Sequence, residues 1–154
     1  MNGPAMLRRL SLAPLGFFVA CSTPVLRPMV ERQDPARFES CADPAGKDAY
    51  DRALALLQSG RDAEALPLLQ KVVELCPEHV PAHCQYQDAA RHVGGEAEAT
   101  MRAYYAGLAD SSTSPVPEYS KARLLESNYQ RKVAIDRVLA HHADFAWAHL
   151  APGR

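Results

Sequence analysis

The stretch that decides the fold is Gly60–Pro77, GRDAEALPLLQKVVELCP, because a second stretch further along the chain repeats its pattern. The segment that starts at Gly94 reads GGEAEATMRAYYAGLADS. The two segments share Gly, Ala, Glu and Ala at four equivalent positions and carry an acidic residue at a fifth. A fixed period of about 20 to 50 residues is typical of an architecture that stacks copies of one supersecondary unit.

A second pair of similar stretches supports the same interpretation. PEHVPAHC, which starts at Pro77, corresponds to ADFAWAHL, which starts at Ala143, at a spacing slightly shorter than two such periods. Ala82 pairs with Ala148 and His83 with His149 in this alignment. Equivalent positions in two units favour a packing or capping role for both histidines.

These segments resemble the tetratricopeptide repeat, a helix–turn–helix unit of about 34 residues. The match is best over residues 46–79. The resemblance implies small residues where two helices pack closely, large apolar residues beside them, a glycine in the turn and a proline that closes the unit. These positions are Ala53, Leu56, Gly60, Ala65, Leu69 and Pro77, and in the second unit Gly94 and Ala99 repeat the turn and the small residue.

The sequence therefore predicts an all-α fold, a short tetratricopeptide-like α-solenoid of about three antiparallel helix pairs over residues 46–154. After the first pair, we expect helices at about 81–92, 96–109, 118–126 and 129–141, and a short terminal helical segment. We place Pro67 near the first turn of its helix, where a missing N–H costs little. Asn128 is expected to adopt the left-handed conformation of the turn glycines. The alternative is a helical bundle without a repeat.

Residues 1–20 have the pattern of a secretory signal peptide. Arg8 and Arg9 precede an uncharged run, Leu10–Ala20, and Ala20 is the small residue before a cleavage site. This run is too short for a membrane-spanning helix, which needs about 20 apolar residues. FVAC, at Phe18–Cys21, resembles the bacterial lipobox, which implies that Cys21 becomes the N-terminus and carries acyl chains such as palmitate. A buried helix and a plain secretion signal are the alternatives.

Residues 21–45 are predicted to form a Pro-rich tether between the lipid anchor and the helical domain. Pro24, Pro28, Pro35 and Pro44 interrupt any helix longer than a turn or two. Such segments are extended and semi-rigid. The alternative is an N-terminal arm that packs on the domain through Val30 and Phe38.

Three further cysteines are disulfide candidates, since exported proteins mature in an oxidising compartment. In antiparallel pairs Cys41, Cys76 and Cys84 would meet at one end of the array. We favour the pairing Cys41–Cys84 over Cys41–Cys76, and buried thiols are the alternative.

The sequence contains no recognisable catalytic set. His79 and His83 have the i,i+4 spacing of a metal pair, but His79 falls in a turn and no HExxH pattern surrounds it. No GxSxG setting and no Gly-rich phosphate loop are present. We therefore expect no enzyme activity, no cofactor, no metal site and no small-molecule substrate. A net charge of −1 lacks the basic excess that nucleic-acid binding needs.

What remains is a surface for a protein partner. The tetratricopeptide resemblance implies a concave groove, lined by the first helices of the pairs, that receives a peptide or helix. On this chain the groove would include Tyr50, Leu54, Gln58, Cys84, Asp88, Arg91 and His92.

The sequence thus predicts a lipid-anchored protein of the bacterial cell envelope, on the outer or the inner membrane and facing the periplasm. We expect it to act as an interaction scaffold or as an assembly factor of the pilotin type. The alternatives are a structural envelope lipoprotein without a groove and a non-catalytic regulator of an envelope hydrolase.

Overall fold

A computed structural model describes residues 36–111 and 113–151, and all of its regular elements there are α-helices. The predicted leader, Cys21 and Val30 lie outside the described residues. The helices are α1 (Ala36–Glu39), α2 (Pro44–Gln58), α3 (Asp62–Leu75), α4 (Val80–Val93), α5 (Gly95–Gly107), α6 (Val116–Arg123), α7 (Asn128–His141) and α8 (Ala146–His149). In this part of the chain, no helix is both long and apolar enough to cross a bilayer.

The start of α2 shows why the helices begin where they do. Asp43 has extended backbone geometry and accepts a 2.9 Å hydrogen bond from the Gly46 N–H. Pro44 follows at the first helical position, where its missing N–H costs nothing. Ser127 caps α7 in the same manner by accepting from the Gln130 N–H at 3.4 Å.

Pro67 lies deeper in its helix than expected. It is the sixth residue of α3, past the first turn, so the carbonyl of Ala63 has no N–H partner one turn ahead. Pro67 and Ala63 are both exposed, so water can reach that carbonyl. The placement near the first turn was therefore wrong, and solvent exposure explains why the helix tolerates the proline.

The two turn glycines share an unusual backbone angle. Gly60 has φ +71° and Gly94 has φ +72°, both in the region that residues with a Cβ avoid. Asn128 does not follow them, because every described residue with positive φ is a glycine. The α6–α7 turn instead uses Ser127 as an N-cap, and Asn128 is already helical.

The tether prediction was wrong for residues 36–45. Phe38 on α1 is 2% exposed, and its ring meets the ring of Phe145 edge-on at 5.1 Å. Arg37 forms an ion pair with Glu78 at 3.2 Å. This stretch is thus the packed arm that we weighed as the alternative, anchored by Phe38.

Buried residues of the described helices form two clusters. The first joins α2 and α3 to α4 and α5, with Leu69, Val72, Met101 and Tyr105 among its members. The second joins the N-terminal arm to α6, α7 and α8, and Phe38, Val116, Tyr119, Ile135 and Phe145 belong to it. Helix α4 contributes to both clusters and links the two halves.

The period set by Gly60 and Gly94 holds for some helices and shifts for others. Helix α2 buries Gly46, Ala49 and Ala53, and α4 buries the residues one period further on, Val80, His83 and Gln87. Helix α5 departs from this rule. It buries Met101 and Tyr105, which fall two positions short of the equivalents of the buried Leu69 and Val73 on α3.

Ala99 is therefore exposed, whereas Ala65 is fully buried. Placing Ala99 as the small packing residue of the second unit was wrong. Helix α5 starts one residue earlier relative to its turn glycine than α3 does, and its buried positions fall two residues earlier.

A candidate partner-binding face

A disulfide joins Cys41 to Cys76, with their Cα atoms 5.4 Å apart. It ties the segment before α2 to the end of α3. The favoured pairing, Cys41–Cys84, was wrong: Cys84 is a free thiol that packs against the second core cluster. A Cβ on Gly46 would lie 2.5 Å from the Cys41 sulfur and 2.9 Å from the Cys76 sulfur, so the bridge requires glycine there.

Both histidines of the i,i+4 pair bind protein groups. His79 Nε2 lies 3.1 Å from the Glu39 carbonyl. His83 Nε2 donates to the Pro77 carbonyl at 3.0 Å, and its Nδ1 lies 2.9 Å from the Tyr105 hydroxyl. Burial lowers the pKa of His83 to about 4, so the ring is neutral at pH 7. Among the described residues, no group of three or more His, Cys, Asp or Glu could hold a metal.

The predicted groove residues do not all share one surface. The Tyr50 ring meets the His79 ring edge-on at 4.6 Å, and Leu54 follows Tyr50 one turn later, half-buried. Gln58 is exposed. His92 turns towards α3, where its Nδ1 lies 2.5 Å from an Asp62 oxygen. His92 is thus turned away from the rest of the set, which draws Tyr50 and Leu54 from α2 and Asp88 and Arg91 from α4.

Asp88 and Arg91 of α4 meet an arginine that the sequence did not single out. Arg123, at the end of α6, places Nη2 at 3.3 and 3.4 Å from the two Asp88 oxygens. Arg91 Nη2 contacts the same carboxylate at 3.1 Å. One carboxylate therefore serves two guanidinium groups, and it links α4 to α6.

A cleft of about 240 Å³ opens beside this pair. We call it the arginine cleft, and its lining consists of Asp88, Arg91, Arg123, Arg131, Ile135 and Ala151. Arg131, on α7, donates to the Leu125 carbonyl at 2.6 Å, and the ion pairs of the described residues include none to Arg131. Three guanidinium groups and one carboxylate give the lining a formal charge of +2.

The nearby titratable groups add no charge at neutral pH. Burial raises the pKa of the Cys84 thiol and raises the pKa of Tyr119 to about 12. Burial also raises the pKa of the Tyr50 hydroxyl. The formal charge of the cleft lining therefore comes from Asp88 and the three arginines.

Sequence reasoning found Asp88 and Arg91 but missed Arg123 and Arg131. The last helices carry the weakest repeat pattern, and Arg123 falls one position beyond a full period after Asp88. A search for basic residues about one period after each predicted groove residue would have found Arg123. Arg131 lies on a second helix of a pair, which the groove resemblance does not include.

No protein-family model matches this chain, and neither a curated protein nor a solved structure matches it significantly.

Proposed function

We propose that this protein is a lipid-anchored scaffold of the bacterial cell envelope, a tetratricopeptide-like array that holds a protein partner on the face carrying Tyr50, Leu54 and the arginine cleft. Cys21 carries the anchor, the array faces the periplasm from the outer or the inner membrane, and the partner is a peptide or helix of an envelope assembly. The role is of the pilotin or assembly-factor type.

Repetition of local structure supports the array. Gly60 and Gly94, which hold equivalent places in the two units, have matching φ values. Contacts join each helix from α2 to α8 to the next one in the chain, as expected where helix pairs stack in chain order.

The observation that carries the partner role is the composition of the proposed face. Asp88 and three arginines line an open cleft, and α2 contributes the half-buried Tyr50 and Leu54. Arginine and tyrosine are enriched at the energetic centres of protein interfaces. The face thus offers charged groups and apolar area together, which suits the side chains of a peptide or helix.

The anchor is tested by intact-mass analysis of membrane and soluble fractions from a native host. We expect a mass that fits cleavage before Cys21 plus acyl chains, found with the membranes, and its loss in a Cys21→Ala variant. An unmodified mass in the soluble fraction would remove the anchor and the periplasmic address.

The partner is tested by photo-crosslinking in intact cells. Leu54→p-benzoylphenylalanine places the probe on the proposed face, and Lys71→p-benzoylphenylalanine places it on an exposed position of α3. We expect a discrete crosslinked species from position 54 and none from position 71. Equal labelling at both positions would favour the structural lipoprotein without a groove.

A further inference from the structure

We propose that the arginine cleft binds one carboxylate group, presented by an acidic side chain of the partner. This inference rests on the proposed function for the source of the carboxylate, and on the cleft itself for the chemistry. The inference is based on the guanidinium N–H groups that line the cleft. They outnumber the hydrogen-bond acceptors around a space large enough for one side chain.

The hydrogen-bond inventory shows the surplus. Arg123 donates from Nη2 to Asp88. Its Nη1 is buried and has no hydrogen-bond partner among the described residues. Arg131 donates from Nη1 to the Asn128 side-chain oxygen and from Nη2 to the Leu125 carbonyl. Its Nε is likewise buried and has no partner among the described residues. A buried donor on a charged group is costly to leave without an acceptor. Arg123 and Arg131 both line the cleft, so a rotation of either guanidinium group that brings its unpaired donor to the cleft surface would give that donor an anionic acceptor.

The charge balance points in the same direction. Asp88 is the one carboxylate in the lining and is shared between Arg91 and Arg123, whereas no carboxylate of the described residues pairs with Arg131. An added carboxylate would halve the formal charge of +2. Charge-assisted bonds from arginine to a carboxylate are short, and the planar fork of the guanidinium fits its two oxygens.

The size of the cleft disfavours a drug-sized ligand, and its apolar lining favours a side-chain carboxylate over a free inorganic anion. The volume of about 240 Å³ is smaller than the ~300 to 1,000 Å³ typical of small-molecule sites. Ile135 and Ala151 give the lining an apolar part that can contact the methylene groups of a glutamate or aspartate. A phosphate ion has no carbon to place there. Asp88 belongs both to the predicted groove and to the cleft, so one segment can lie along the groove and end here.

The test is a titration followed by NMR on the purified full chain. The probe is the peptide acetyl-Leu-Glu-Leu-amide, and its control is acetyl-Leu-Gln-Leu-amide, which differs only in the charged group. We expect saturable shifts of the arginine Nε–H signals and of the Ile135 methyl signals with the first peptide and none with the second. Raising the salt concentration should weaken the binding.

Matched variants locate the binding in the cleft. Arg131→Gln should weaken it about tenfold or more, whereas Arg137→Gln, an exposed arginine on the same helix, should leave it unchanged. Arg131→Lys keeps the charge but loses the fork, so its affinity should lie between those of the wild type and Arg131→Gln. Since Arg131 also holds the Leu125 carbonyl, Arg91→Gln on the surface of α4 provides a second loss variant if Arg131→Gln unfolds.

Several outcomes would overturn the site: no saturable shift at millimolar peptide, equal binding of the Gln peptide, or equal losses in Arg131→Gln and Arg137→Gln. Inorganic phosphate that binds more tightly than the Glu peptide would overturn the carboxylate specificity. The crosslink from position 54 distinguishes this failure from that of the proposed function. Peptide binding without a crosslink supports the site and removes the scaffold, and a crosslink without peptide binding does the reverse.

Discussion

The turn between α3 and α4 and the turn between α7 and α8 have nearly the same backbone, although their side chains differ. Cys76 ends α3 with φ −129° and ψ 69°, and His142 ends α7 with φ −134° and ψ 67°. His79 precedes α4 with φ −81° and ψ 87°, and Phe145 precedes α8 with φ −72° and ψ 96°. Each turn contains one backbone hydrogen bond from its last residue to its first, of 3.0 and 3.1 Å.

The histidines of the two turns also make the same contact. His83 Nε2 donates to the Pro77 carbonyl at 3.0 Å, and His149 Nε2 donates to the Ala143 carbonyl at the equivalent position at 2.8 Å. The sequence predicted a packing or capping role for both histidines, and in the structure each ring donates to a carbonyl of the turn before its helix. The residues at the ends of the two turns are chemically unlike. We therefore attribute their common backbone conformation to the hydrogen bonds that both turns make.

The two turns differ in the contacts that hold them in place. The first is fixed by the Cys41–Cys76 bridge and by polar contacts of His79 and His83. The second is fixed by aromatic packing, because Phe145 contacts the rings of Phe38 and Tyr119 edge-on at 5.1 and 5.3 Å. The N-terminal arm thus bridges both turns, with a covalent bond at one and a buried ring at the other.

The largest effect should come from removing the ring at the second turn. Phe145 is 1% exposed, so Phe145→Ala deletes a buried aromatic side chain and should cost about 4 kcal/mol of stability. Urea unfolding followed by circular dichroism measures the loss. Leu150→Ala, at a site that is 79% exposed in the same segment, is the control and should change stability by less than about 0.5 kcal/mol. Similar losses for the two variants would contradict the packing role of Phe145.

Removing the bridge at the first turn should cost slightly less. The disulfide joins positions 35 apart in the sequence, and for a loop of this size chain entropy predicts a loss of about 3.8 kcal/mol in a Cys41→Ala/Cys76→Ala variant. Urea unfolding of the oxidised protein measures it, and reduction of the wild type should lower the midpoint similarly. Reduction of the variant should change nothing. An unchanged midpoint on reduction of the wild type would show that the bridge does not stabilise the fold.

Acid should weaken the first turn through His83. Its pKa is about 4 in the folded protein and ~6.5 when the chain is unfolded, so the unfolded state binds more protons between these values. The contribution to stability is therefore fully present above pH 6.5 and is lost as pH falls towards 4. The loss should reach at most about 3 kcal/mol.

Unfolding free energies measured between neutral pH and about pH 4 check this expectation, with His83→Gln as the variant that cannot titrate. The wild type should lose more stability than the variant across this window. Burial also lowers the pKa of His79, so some acid sensitivity should persist in the variant. Parallel curves for the two proteins would contradict the role of His83.

The contrast between the two turns also explains how far the sequence could predict the structure. The helix class and the positions of α4, α5 and α7 follow from apolar spacing, glycine turns and prolines, which act locally. The repeat alignment also identified the two equivalent turns, because a shared Ala-His pair marks them. The packing register of α5 and the place of Phe38 depend instead on contacts between distant segments, which local spacing does not encode.

The candidate site shows the same limit. Asp88 and Arg91 could be assigned from one helix, but the cleft exists because α6 and α7 bring Arg123 and Arg131 beside them. The disulfide pairing depended on which side of α4 faces the arm. Cys84 packs against the second core cluster, and Cys76 lies next to Cys41.

The smallest effect should come from removing the second histidine, His149. Its comparison with His83 separates the effect of the shared hydrogen bond from the effect of burial. His149 makes the same kind of bond as His83, but it is exposed, so water can replace the lost contact. His149→Ala should therefore cost less than about 1 kcal/mol. His83→Ala should cost about 3 kcal/mol, because it leaves a cavity and removes a buried partner of the Tyr105 hydroxyl. Urea unfolding of the two variants at neutral pH compares them directly. Equal losses would mean that the shared bond, and not its burial, sets the stability of both turns.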